Sequence, residues 1–299
     1  MPTRATLLKH KLLLLLTAVI WGASFPAQQI GMEKGLGPMS FNALRFALGA
    51  LTLLPLLYWI RRKPSTQDSQ PFPWIGSLLC GFFLFVAAAL QQIGLLYTSC
   101  ANGGFITGFY ILFVPLIGFF FGQRSPKSLW IGVLLCLIGL YLLSVTDQFK
   151  IEKGDLLMLI CAFFWACQIL MIGHLSDREK PILIALVQFT ACALLSGLAA
   201  LLFETFSIRE MIDASWAVAY AGILSVGVAF TLQVVCQKHC PPAPAAIIMS
   251  LEAVFAALTG FLILEQILST RAILGCVLCF IGMIVVQILP MSKKKANPA

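Results

Sequence analysis

Ten stretches of this chain are apolar for the length of a bilayer, and they fall into two sets of five that repeat at an offset of about 143 residues. The stretches cover 11–31, 40–60, 73–96, 100–121, 128–146, 155–173, 181–203, 214–237, 243–264 and 270–289. Each approaches the roughly 20 residues that a helix needs to cross about 30 Å of hydrocarbon at about 1.5 Å per residue. They are continuously apolar and do not alternate, which excludes a β-barrel. A unit with an odd number of spans enters the membrane from the opposite side when it is repeated, so the two halves must be antiparallel. The sequence therefore predicts an all-α membrane protein, with ten transmembrane helices in two inverted five-helix repeats around a central cavity, divided at 1–150 and 151–299.

The repeat can be read residue by residue. Trp21 and Trp165 each lie ten residues after a charged residue, Lys11 and Asp155. Spans 2 and 7 follow Pro38 and Pro181, and Arg45-Phe46 then falls on Gln188-Phe189. Leu90-Gln91 in span 3 matches Leu232-Gln233 in span 8. Gly132, Cys136 and Gly139 in span 5 have the internal spacing of Gly275, Cys279 and Gly282 in span 10, and small residues so spaced predict a close helix seam. The same register sets Tyr110 of span 4 against Glu252 of span 9. Both are nine or ten residues into their spans, roughly 14 Å deep and close to the midplane.

With 60% hydrophobic and 11% charged residues, the chain has too little polar surface for a soluble globule. Its connections are short; the longest, 63–71, is a polar linker. The net charge of +8 is topological: the N-terminus, the loops after spans 2, 4, 6 and 8, and the tail Lys293-Lys294-Lys295 hold fourteen basic residues. The opposite face holds five, Lys34, Lys150, Lys153, Arg209 and Arg271. Both termini are expected to be cytoplasmic in a multi-pass protein of the cell (inner or plasma) membrane, and no nucleic-acid partner is expected. Most of the ten cysteines lie inside spans without a Cys-x-x-Cys pair of zinc-ribbon type, and His10, His174 and His239 fall at the cytoplasmic boundary. Neither a metal site nor a cofactor is expected.

Candidate functional residues are the polar ones that hydrocarbon should exclude. Glu252 is the acidic residue deep in a span, where a carboxylate costs about 3 kcal/mol unless it is protonated, paired or wet. It reads either as a proton-coupling group or as a protonated structural bridge. Arg45 lies about five residues into span 2 and reads either as a ligand for a substrate carboxylate or as a snorkelling anchor paired to Glu33. Thr17, Trp21, Ser24 and Gln28 form one helical stripe that should face the bundle interior, with Phe25 beside it and Trp165 as the repeat mate of Trp21. Gln91, Gln168 and Gln233 supply amides that either orient a polar solute or tie helices together. Pro26 and Pro115 interrupt the backbone hydrogen bonding of spans 1 and 4 and are hinge candidates. Trp59, Trp74, Trp130 and Trp216 sit at span ends and read as interfacial anchors.

Trp21-Gly22-Ala23-Ser24-Phe25-Pro26, Leu44-Arg45-Phe46, Pro242-Ala243-Pro244-Ala245-Ala246 and Ser250-Leu251-Glu252-Ala253-Val254-Phe255-Ala256-Ala257, with the Gly-rich span 10, resemble the EamA-type transporters of the drug/metabolite transporter superfamily. Ala253 stands where that family often has proline. The resemblance implies a central cavity, alternating access and export of amino acids, metabolites or drugs. With no Gly-x-x-x-x-Gly-Lys-Ser/Thr loop, transport would be secondary-active or facilitative, with protons as the plausible coupling ion. The expected partners are a small-molecule substrate and the lipid bilayer, the protein acting as monomer or homodimer. No nucleophile with a base and no paired carboxylates support an enzyme. A non-transporting receptor or scaffold is the alternative.

Overall fold

The computed structural model describes residues 3–61, 71–98, 100–123, 125–144, 153–175, 180–205, 207–264 and 269–288. The linker at 63–71 is almost wholly outside them, as are several of the topology-setting cations, among them Arg62, Lys63, Arg124, Arg178 and Lys293–Lys295. Among the described residues, nine helices are long and apolar enough to cross a membrane, and Lys127–Leu142 is a shorter apolar tenth. The fold is an all-α membrane protein with two repeats.

Spans 1, 2 and 3 are single helices, Arg4–Glu33, Pro38–Arg61 and Trp74–Gly94. So are span 5 (Lys127–Ser144), span 6 (Lys153–Leu175), span 7 (Pro181–Phe203) and span 10 (Thr270–Ile288). Span 1 starts seven residues before the apolar stretch because Thr3 caps it, its Oγ1 accepting from Thr6 N at 3.2 Å, and because Arg and Lys are good helix formers. A short helix with exposed apolar residues, Ile208–Asp213, precedes span 8.

Three spans depart from regular α-helix. Span 4 is two helices, Cys100–Thr107 and Tyr110–Phe120, and span 9 is likewise Pro242–Met249 and Glu252–Leu264. The two breaks are repeat mates. Each tightens through three-residue hydrogen bonds, Phe109 N to Ile106 O in one and Leu251 N to Ile248 O in the other, at 3.1 and 3.3 Å. Tyr110 and Glu252 therefore both open a half-helix. Span 8 runs as Ser215–Ala219, a π-helix over Tyr220–Phe230, and Thr231–Gln237. Of the hinge candidates, Pro26 lies inside the unbroken span 1 and Pro115 inside the second half of span 4. Proline at 26 leaves Gly22 O without its usual i+4 donor; Thr259 Oγ1 of span 9 lies 3.4 Å from it but is closer, at 2.8 Å, to its own Phe255 O.

Packing follows the pseudo-two-fold axis. Spans 5 and 10 pair with each other, as do 2 and 7, and the pair 3 with 6 is matched by 8 with 1. At the axis, Cys136 Sγ contacts Cys279 O and Cys279 Sγ contacts Cys136 O, both at 3.6 Å. Glycine is required beside them: a Cβ on Gly139 would meet Gly275 O at 2.6 Å, and one on Gly282 would meet Gly132 O at 2.8 Å. The seam thus lies within one protomer. Spans 2 and 7 are also tied at the face opposite the termini, where Glu204 accepts from Met39 N (2.7 Å), Ser40 N (2.8 Å) and Ser40 Oγ (2.7 Å) and so caps the start of span 2. Trp59, Trp74, Trp130 and Trp216 are all outward-facing at span ends.

Gly139→Val places side-chain atoms against the backbone of span 10. It should destabilise the fold by about 1–3 kcal/mol, seen as a lower thermal midpoint of the purified protein. Gly197→Ala, whose new Cβ would meet nothing nearer than Ala43 Cβ at 3.9 Å, should change stability by less than about 0.5 kcal/mol.

Candidate functional site

Polar side chains converge where spans 1, 2, 3, 4, 6, 8 and 9 meet, around a cavity of about 30 Å³. Span 1 contributes Trp21, Ser24, Phe25 and Gln28, three of them from the polar stripe, and span 2 contributes Arg45. Gln91 comes from span 3, Thr107 and Tyr110 from span 4, and Trp165 and Ile169 from span 6. Ser225, Phe230 and Gln233 of span 8 and Glu252 of span 9 complete the wall. Nine of the ten binding candidates therefore line one cavity. Gln168 does not. Its Nε2 donates to Gln188 Oε1 (3.2 Å) and Gln233 Oε1 (3.4 Å), and its Oε1 accepts from Gln233 Nε2 (3.0 Å).

The cavity has an aromatic floor centred on Phe230. Its ring stacks on Trp165 at 5.5 Å and 21°, and it lies 4.6 Å from Trp21. Phe46 and Phe189, the repeat mates, flank it at 6.0 and 6.2 Å. Gln168 and Gln233 each follow a floor residue by three positions, so their amides form a second layer about one helical turn closer to the termini. Gln237 Nε2 continues it by donating to Ile169 O at 2.9 Å. Apolar stacking and a bonded amide layer together close the cavity toward the side that carries both termini.

A guanidinium and a carboxyl share the space above the floor. Arg45 is only 3% exposed, with its guanidinium carbon 5.0 Å from the Phe46 ring centroid and 5.8 Å from that of Phe41. Among the described residues it forms no ion pair, and its Nε has no hydrogen-bond partner. It neither snorkels nor pairs with Glu33, which accepts instead from Gln29 Nε2 at 3.0 Å. Glu252 is 5% exposed and faces Tyr110, whose Oη lacks a partner within hydrogen-bonding geometry. As the first residue of its half-helix, the Glu252 carboxyl sits at the positive end of the helix dipole. Gln28 Oε1 is also unpartnered, although its Nε2 bonds Ser24 O at 3.2 Å. Buried polar atoms left unbonded cost about 1–3 kcal/mol each.

Span 1 is stitched to the π segment of span 8. Trp21 Nε1 donates to Ser225 O (3.3 Å), Thr17 Oγ1 to Ala229 O (3.4 Å), and Tyr220 Oη to Ile20 O (3.0 Å). A π turn rotates the residues after it relative to an α-helix, and here it sets Ser225, Phe230 and Gln233 on the cavity side. Sequence reasoning missed Thr107, Ile169, Ser225 and Phe230. Thr107 was within reach, one turn before Tyr110 on the same span. Ser225 was not, because its place depends on the π register. Among the described residues, no group of three or more His, Cys, Asp or Glu could hold a metal.

The EamA-like transporter family matches this chain twice, over residues 8–145 and 152–288, and the chain belongs to that family. An uncharacterized transporter of Archaeoglobus fulgidus is 32% identical over 92% of this chain and 84% of its own length. The threonine/homoserine exporter RhtA of Salmonella typhimurium is 25% identical over 88% of this chain and 85% of its own. A solved crystal structure shares the fold, with a TM-score of 0.78 at 21% identity over 94% of this chain and 99% of that one. The protein is a membrane transporter of the EamA family.

Phe230→Ala removes the centre of the floor and should destabilise the protein by about 3–5 kcal/mol. Gln168→Ala removes amide contacts worth about 0.6 kcal/mol each in a membrane bundle and should cost about 1–2 kcal/mol. Thermal unfolding of the two purified variants checks that order.

Proposed function

We propose that the protein exports small zwitterionic metabolites, amino acids foremost, across the cell membrane by alternating access, with both termini cytoplasmic and no covalent step. The observation that carries this reading is the pair Arg45 and Glu252, an unpaired buried cation and a buried carboxyl in the wall of one cavity. Neither charge neutralises the other, so a solute that brings its own carboxylate and ammonium satisfies both. Arg45 would take the carboxylate and Glu252 the ammonium, with Gln28, Gln91 and Gln233 completing hydrogen bonds and Trp21, Phe25 and Trp165 covering the apolar part. A single cationic side chain fits a polyphosphate poorly. The name of the similar Salmonella protein, a threonine/homoserine exporter, supports the same substrate class.

The reading extends to coupling. Glu252 would hold either the substrate ammonium or a proton, so releasing one would favour loading the other and the cycle would exchange protons for substrate. Tyr110, its repeat mate, would receive the carboxyl's hydrogen bond only after a proton is loaded and the cavity changes access. The halves 1–150 and 151–299 would move against each other about the Cys136–Cys279 axis. The matched breaks at Gly108–Phe109 and Ser250–Leu251, and not the prolines, would absorb the change in backbone angle.

Threonine counterflow in proteoliposomes tests the proposal. Wild type should exchange external labelled threonine for internal threonine, Arg45→Gln should lower that exchange at least tenfold, and Glu252→Gln should abolish its pH dependence. Undiminished exchange by Arg45→Gln contradicts the carboxylate assignment, and unaltered pH dependence in Glu252→Gln contradicts the coupling assignment.

A further inference from the structure

A second cavity lies away from the transport site, at the end of the bundle that carries the termini. It is a cleft of about 190 Å³ between the start of span 1, the start of span 9 and the end of span 10. Its walls divide by chemistry. Leu7, Pro244, Ile248 and Ile288 make the apolar part, while Lys11 and His239 bring the basic groups. Among the described residues, no acidic side chain lines it. Ile288 is 74% exposed, so the apolar wall runs out onto the lipid-facing surface, whereas Ile248 is buried at the inner end.

The imidazole of the lining packs against a second one. His10 Nδ1 donates to Thr6 O at 2.7 Å, which fixes its ring, and that ring lies 4.2 Å from the His239 ring. Burial first, then His10 and Lys238, hold the His239 imidazole below its ordinary pKa, so it meets the cavity as a neutral hydrogen-bonding group. Lys11 is then the fixed cation of the lining. The apolar inner wall belongs to the half-helix Pro242–Met249, and Ile248 precedes Glu252 by one helical turn.

We propose that this cleft is a binding site for an anionic phospholipid, with the headgroup phosphate on Lys11 and His239 and an acyl chain along Leu7 and Ile288. The argument is charge and polarity complementarity at a fixed depth: a basic rim at the membrane boundary continues directly into an apolar groove open to the bilayer. A soluble anion would satisfy the rim and leave the groove empty; a zwitterionic lipid would fill the groove but bring a cation beside its phosphate, against a basic rim with no acidic side chain among the lining residues to meet it. Occupancy would brace the half-helix that ends at the span 9 break, so the lipid would act on the transport site through backbone position without touching substrate.

The test is thermal unfolding of the full-length, delipidated protein titrated with mixed micelles of dioleoyl phosphatidylglycerol, with dioleoyl phosphatidylcholine, and with soluble glycerol phosphate. Phosphatidylglycerol should raise the midpoint by several degrees and saturably, and the other two should not. Lys11→Gln should remove most of that shift, while Lys9→Gln, the same charge change at an exposed position outside the cleft, should keep it. Equal stabilisation by phosphatidylcholine, an equal shift with glycerol phosphate, or a full shift in Lys11→Gln each overturns the proposal. If Lys11→Gln does not fold, His239→Leu serves as the second variant, read by retention of phosphatidylglycerol against phosphatidylcholine in native mass spectrometry. Retention unchanged from wild type overturns the proposal as well. Neither readout depends on transport, so its failure is distinct from failure of the exporter reading.

Discussion

A guanidinium and a carboxyl held in hydrocarbon without pairing to one another are the constraint on which the rest of this structure depends. Each charge near the bilayer centre costs about 3 kcal/mol or more, and burying it inside protein helps only if something polar meets it. Arg45 is met by the faces of two phenylalanines, and Glu252 by a helix N-terminus and a phenol. Both are partial substitutes for water. The surrounding architecture makes that arrangement tolerable: a rigid seam at Cys136 and Cys279 fixes the peripheral helices, and the capped span 2 holds Arg45 at one depth. The stacked floor around Phe230 keeps the site closed on one side.

Symmetry builds this frame and asymmetry gives it chemistry. Helix pairs, glycine seams and the breaks in spans 4 and 9 all obey the repeat, so one folding solution is used twice. The charged site residues do not obey it. Arg45 corresponds to Gln188, which sits in the amide layer and accepts from Gln168 Nε2 and from Cys80 Sγ at 3.1 Å. Glu252 corresponds to Tyr110. A charge on one half thus faces a neutral polar group on the other, which avoids burying two like charges about the same axis.

Much of this was legible in the chain. Ten apolar stretches and a 143-residue offset follow from composition and spacing, and the Gly-Cys-Gly pattern located the tightest seam because only small residues permit backbone contact there. Buried polar residues located the cavity for the same physical reason, since hydrocarbon excludes them unless a partner or a polar space is near. What escaped was geometry set by tertiary contact. Gln168 resembles Gln91 and Gln233 in sequence, yet its neighbours absorb its amide. The prolines mark hinge candidates, but the breaks in helical geometry fall elsewhere, at Gly108–Phe109 and Ser250–Leu251. The π segment of span 8 has no local signature because span 1 side chains bond its carbonyls from outside.

Equilibrium binding of an analogue series measures most directly whether this cavity is built for a zwitterion. Threonine should bind to the purified protein, while the amine lacking the carboxyl group and the hydroxy acid lacking the ammonium should each bind at least about tenfold more weakly, a loss of about 1.4 kcal/mol or more per missing charge. Arg45→Gln should erase the difference between threonine and the amine but keep that between threonine and the hydroxy acid. Equal affinity for all three compounds, or an unchanged series in Arg45→Gln, would contradict the account.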